Sequence, residues 1–81
     1  MYYVYVLKSY KDTKAYIGHT NDLRRRFLEH QNHLVGSTKS RGPFKLLYYE
    51  ASHIEKDAIK REKALKTGFG RAYLKRRLSD L

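Results

Sequence analysis

Residues 2–9, YYVYVLKS, constrain the fold more than any other stretch, because tyrosine and β-branched residues in succession favour an extended chain. Alternation along a strand puts Tyr3, Tyr5 and Leu7 on one face and Tyr2, Val4 and Val6 on the other. The polar YKDTK at 10–14 reads as a turn, and AYIGH at 15–19 as the return arm of a hairpin. Gly18, near the end of that arm, marks a point where the backbone bends or something approaches closely. Thr20, Asn21 and Asp22 offer N-caps for a helix over 22–33, whose apolar stripe is Leu23, Phe27 and Leu34, with His30 at the same spacing. VGSTKSRGP at 35–43 is a loop by composition, and FKLLYYEA at 44–51 a third strand. A second helix spans 54–67 and is ended by Gly68, and a short, very basic helix follows over 70–78. The order β-β-α-β-α-α predicts an α+β fold with a small three-stranded, mostly antiparallel sheet flanked by helices.

Eighty-one residues suffice for a single domain over 1–81 with a compact core. The absence of cysteine removes disulfides and thiolate zinc sites, and it fits a reducing, cytoplasmic location. MYYVYVLKSYKD has no charged leader and an apolar run too short for a signal peptide or a membrane span. Charge is the strongest compositional signal: the chain carries +10 at neutral pH. Such a field favours polyanions, nucleic acid above all, since no segment pairs a basic face with a continuous bulky apolar one as a membrane-surface helix would. The excess is uneven, +2 over 1–20, +3 over 21–42, −1 over 43–57 and +6 over 58–81. Two separate segments therefore supply the basic surface, and the fold has to bring them together.

Single residues stand out against this pattern. In the second helix Ile54, Ala58 and Leu65 fall on one side, and Glu62 falls with them. A carboxylate there is costly to bury without a cation, a metal or hydrogen-bond donors, unless it sits at the rim and pairs with Lys66 four residues on. Of Arg24, Arg25 and Arg26, only Arg26 shares a helix edge with His30. An arginine and a histidine stacked beside an apolar stripe can hold a phosphate, the arginine through its forked donors. The plainer alternatives are a solvated arginine face, a half-buried histidine, and Tyr3, Tyr5 and Tyr16 as ordinary sheet packing. His19, His30, His33 and His53 lack the helical spacing with carboxylates that signals zinc. No P-loop, dinucleotide-binding glycine motif or nucleophile elbow is present.

Order and spacing say more than any one piece. YVY at 3–5, YIG at 16–18, Arg26 ten residues after Tyr16, His30 four further on and Glu62 within REKALK at 61–66 together resemble the GIY-YIG nuclease family, in particular its small single-domain bacterial branch. The resemblance implies a metal-dependent endonuclease that hydrolyses phosphodiester bonds of nucleic acid, DNA before RNA, with one Mg²⁺ or Mn²⁺ ion per site. It places Tyr5 and Tyr16 at the active centre and gives Gly18 a structural role. It assigns Arg26 to the scissile phosphate, His30 to the reacting groups and Glu62 to the metal. His19, directly after the motif glycine, is a further participant. Tyr5 would take a proton from the attacking water, with His19 and His30 as alternative carriers. Two departures are visible: Tyr3 stands where the first motif has glycine, and the last helix has no counterpart of the asparagine that some members carry.

The remaining cations, Arg24, Arg25, Lys39, Arg41, Lys63, Lys66, Arg71, Lys75, Arg76 and Arg77, would then grip the phosphate backbone and give affinity without sequence choice. Specificity would come from nucleic-acid structure or from a partner protein, and cutting both strands would need a homodimer or two encounters. Two rivals share the basic surface: a non-catalytic nucleic-acid-binding module that kept the fold, and a basic protein-interaction domain.

Overall fold

The computed structural model describes residues 1–81 and orders them as β1 (Tyr2–Ser9), β2 (Ala15–Thr20), α1 (Leu23–Gln31), β3 (Phe44–Ser52), α2 (Glu55–Leu65) and α3 (Gly68–Arg77). The three strands form one antiparallel sheet in the order β2-β1-β3, the α+β architecture that the element order predicts. β1 is apolar on both faces and takes the centre, where Val4, Tyr5, Val6 and Leu7 are each at most 1% exposed. On one face Val4, Val6 and Ile17 pack under Ala58 and Leu65 of α2 and Leu74 of α3. On the other, Tyr5, Leu7 and Phe44 pack with Tyr16, Leu46 and the Leu23 and Phe27 side chains of α1. The sheet is thus the middle of three layers. Each large side chain buried in this way contributes about 1.5–3 kcal/mol.

Hydrogen bonds fasten the helices to that sheet. Gln31 clamps the start of β3, its amide donating to the Phe44 carbonyl (3.0 Å) while its own carbonyl accepts from the Phe44 N–H (2.7 Å). Asp22 caps α1 by accepting from the Arg25 N–H, and Thr67 caps α3 by accepting from the Gly70 N–H. Gly70 lies so close to α2 that a Cβ would collide with the Ala64 carbonyl and the Leu65 backbone, which fixes the α2–α3 corner.

Three sequence expectations are corrected. α1 stops at Gln31, because His33 turns to φ 61° and the His33 and Leu34 N–H groups bond back to the His30 and Glu29 carbonyls. This Schellman closure swings Leu34 off the stripe, leaving it 72% exposed. Ile54 sits at the N-cap of α2 and is also exposed, so Ala58 and Leu65 alone anchor that helix in the core. Gly68 opens α3 and does not close α2, since the Thr67 cap starts a new helix.

Candidate active site

Tyr5 lies directly across the ladder from Gly18. A Cβ at position 18 would stand 2.6 Å from the Tyr5 hydroxyl oxygen and 2.8 Å from Cζ, so the glycine makes room for the phenol. The hydroxyl reaches Nε2 of His30 at 2.8 Å, and Nδ1 of His30 reaches Oγ1 of Thr38 at 2.7 Å. Tyr5, His30 and Thr38 are all essentially inaccessible to solvent. Tyr16 closes the cluster, its ring 5.0 Å from that of His30 and 6.3 Å from that of Tyr5. Burial, helped by the Arg26 guanidinium, pushes His30 down to about 4, so its imidazole is neutral at physiological pH. With one ring N–H to offer, it accepts from Tyr5 at Nε2 when Nδ1–H donates to Thr38. Burial, the neighbouring Tyr16 and the Glu62 charge raise Tyr5 to about 12, against the pull of Arg26, so it is a neutral phenol.

The next residue of β2 points the other way. His19 is in register with Val4 and so faces α2, where its Nδ1 pairs with Oε1 of Glu62. Oε2 of Glu62 accepts from Lys66 Nζ at 2.6 Å. Burial opposes the charge on Glu62, but Lys66 and His19 outweigh it and hold the carboxyl below its usual range. Arg61, one position earlier, makes a forked pair with Glu50 of β3 (2.9 Å from Nε and from Nη2), which holds α2 on the sheet. Glu62 and Tyr5 therefore reach adjacent residues of β2 from opposite faces of the sheet, Glu62 at His19 and Tyr5 at Gly18.

The three consecutive arginines have separate fates. Arg25 and Arg26 both donate to Glu29, at 3.0 Å each, and Arg25 also donates to the Asn21 side-chain carbonyl. Arg26 stands beside Tyr5 and His30, whose ionisation it shifts. Arg24 is exposed and has no carboxylate partner. Arg41 donates to Asp12 (2.8 Å) and to the Lys14 carbonyl, stapling the 35–43 loop to the β1–β2 turn. Lys66 is engaged by Glu62, and Arg77 lies over the Tyr48 ring at 5.8 Å. Lys39, Lys63, Arg71, Lys75 and Arg76 are exposed. Thr38 is a site residue that pattern reading misses: it sits in an aperiodic loop, where only a fully buried hydroxyl next to an imidazole reveals it.

No group of three metal-ligating side chains exists here, so the chain has no cage for an ion. The single ionised Glu62 has Oε1 on His19 and Oε2 on Lys66, an oxygen donor of the kind a hard divalent ion would take while keeping most of its water. Cys- or His-rich chemistry is absent from the set.

The sequence profile described as the GIY-YIG catalytic domain matches residues 1–78. The chain belongs to the GIY-YIG family. Its tyrosine motifs are the segments that bring Tyr5, Tyr16 and Gly18 together, and membership gives the domain a nuclease-type role. It is 42% identical to a UPF0213 protein of Clostridium perfringens, across 82% of this chain and 71% of that relative. A UPF0213 protein of Staphylococcus saprophyticus is 36% identical, across 82% of this chain and 80% of its own. The solution NMR structure of a UPF0213 protein from Bacillus halodurans superposes with a TM-score of 0.56 at 32% identity, covering 91% of this GIY-YIG domain and 82% of that chain. No helix of the domain is long and apolar enough to cross a membrane.

Proposed function

We propose that this GIY-YIG domain is a divalent-metal-dependent endonuclease that hydrolyses phosphodiester bonds of nucleic acid, DNA in the first place, with one Mg²⁺ or Mn²⁺ ion at Glu62. The observation that carries the reading is the placement, at two adjacent residues of β2, of an ionised carboxylate on His19 and of a buried tyrosine–histidine–threonine chain, flanked by Arg26, on Gly18. Bound at Glu62, the ion would supply Lewis-acid charge to a phosphate oxygen and the departing oxygen, and its field favours a phenolate at Tyr5.

The chain's own residues do the rest. Glu62 would hold the ion once His19 and Lys66 release its oxygens, leaving both side chains to face an incoming phosphate. Arg26 donates to a non-bridging oxygen as charge builds up, an interaction of this kind being worth about 3–4 kcal/mol. Tyr5 takes the proton of the attacking water and passes its own to His30 at 2.8 Å, while Thr38 holds the imidazole in the accepting tautomer. In the unliganded protein Tyr5 is held high and His30 low, both by burial, so that transfer is strongly uphill. The proton therefore moves only in the loaded complex, where phosphate charge favours an imidazolium. Arg24, Lys63, Arg71, Lys75 and Arg76, exposed and without carboxylate partners, grip the backbone, so sequence specificity is low. One site cuts one strand, and double-strand cutting calls on a second copy or a partner protein.

A second reading, a phosphate-binding module without catalysis, draws on the occupied Glu62 and the raised Tyr5. Nicking of supercoiled plasmid by the wild type and by Glu62→Ala, with Mn²⁺ or with EDTA, separates the two. Nicked circles that require both the metal and Glu62 support the nuclease. Equal DNA binding by both proteins with no cutting of any substrate favours the module.

A further inference from the structure

The face of the sheet that carries Tyr5 extends into a groove whose aromatic lining none of the chemistry above uses. It has a volume of about 650 Å³, within the range of small-molecule sites. The sheet contributes Tyr3 and Tyr49, and α1 contributes Phe27, Leu28 and Arg24, while Asn21 comes from the β2–α1 connection. Tyr3 and Tyr49 stand edge-to-face, 6.1 Å apart at 64°. Tyr49 remains 54% and Leu28 51% exposed, so the apolar lining is left open to solvent.

From this juxtaposition of an aromatic groove and an unpaired arginine, we infer that the groove holds an unpaired base of the strand being cut, with its phosphate on Arg24. The inference rests on the nuclease reading and narrows its substrate to single-stranded or locally opened nucleic acid. Four observations favour this occupant. The groove lies next to the catalytic cluster on one face of the sheet, because Tyr3, opposite Thr20, is two residues along β1 from Tyr5, opposite Gly18. Two residues along a strand span about 7 Å, or about two stacked-base rises of 3.4 Å, which would set the held base about two nucleotides from the scissile phosphate. Tyrosine rings give a sequence-tolerant stacking surface that a base can use only out of its duplex stack. Arg24 alone of the three arginines has no carboxylate to neutralise it, while Asp22 in the groove wall already accepts from the Arg25 N–H.

The test is fluorescence anisotropy in EDTA with a labelled oligothymidine and a duplex of equal length, which reads binding without cleavage. Tyr49→Ala is expected to weaken single-strand binding about 5- to 150-fold and to leave duplex binding unchanged, with Tyr49→Phe retaining the wild-type preference. Should Tyr49→Ala unfold, Arg24→Gln serves instead and lowers single-strand affinity and its salt dependence. Unchanged single-strand binding, or equal losses on both nucleic acids, overturns the groove. So does a dimer in sedimentation that Tyr49→Ala dissociates, since a second copy then covers the face. If the groove fails while Glu62-dependent nicking persists, only this inference falls. Tyr49-dependent binding without any nicking supports the groove and defeats the nuclease.

Discussion

His30 offers the sharpest test of how burial sets the chemistry of the site. Its side chain is fully enclosed, and burial together with Arg26 holds it at about 4. In an unfolded chain a histidine titrates near ~6.5. Between those values the unfolded state binds a proton that the native state does not. Stability is therefore fully present above pH ~6.5, falls as the pH drops through this window, and stops falling below about 4. The loss is about 2 kcal/mol by about pH 5 and about 3 kcal/mol at its limit, or a drop in Tm of about 8–16 °C at the first of these points. Carboxylates held low by their partners, Asp12 and Glu62 among them, lose stability only in more acid solution, so about pH 5 to 7.5 isolates histidine. Thermal melts across this range, compared with those of His30→Gln, isolate this residue from the other histidines. The variant is expected to be less stable at neutral pH but to lose less on acidification. NMR of the His30 ring in the native protein supplies a second readout, with a midpoint expected near about 4. A native midpoint near ~6.5, or parallel melting profiles for the two proteins, would refute the account of a neutral, desolvated imidazole.

Two further substitutions probe the same cluster. Gly18→Ala drives a methyl to within 2.6 Å of the Tyr5 hydroxyl oxygen, so it is expected to cost about 1–3 kcal/mol in denaturant unfolding and to shift the His30 ring resonances as the Tyr5 bond is lost. Thr38→Val keeps the shape but strands His30 Nδ1 without a partner, for about 1–3 kcal/mol, whereas Thr38→Ser, measured in the same way, restores most of it.

Sequence pattern carries the elements and their order, because propensity and period are local properties. YYVYVLKS reads directly as a strand of a small antiparallel sheet flanked by helices, and the sheet bears that out, while the structure adds that helices cover both of its faces. The spacing of the two tyrosine motifs, Arg26, His30 and Glu62 marks the family, since side-chain type and register survive in one dimension. Helix ends were less legible: the backward hydrogen bonds from His33 and Leu34 depend on one residue reaching positive φ, which composition does not announce.

Only the tertiary structure decides which groups touch and how they ionise. His19 meets Glu62 across 43 positions, and Tyr5 meets His30 across 25, on opposite faces of the same sheet. Thr38 joins from a loop with no period to betray it. A run of three like arginines divides into two that share Glu29 and one left free, because a helix turns each to a different neighbour. The sequence names the ionisable groups, but their pKa values follow from desolvation and from charges a few ångströms away, and those distances exist only once the chain has closed.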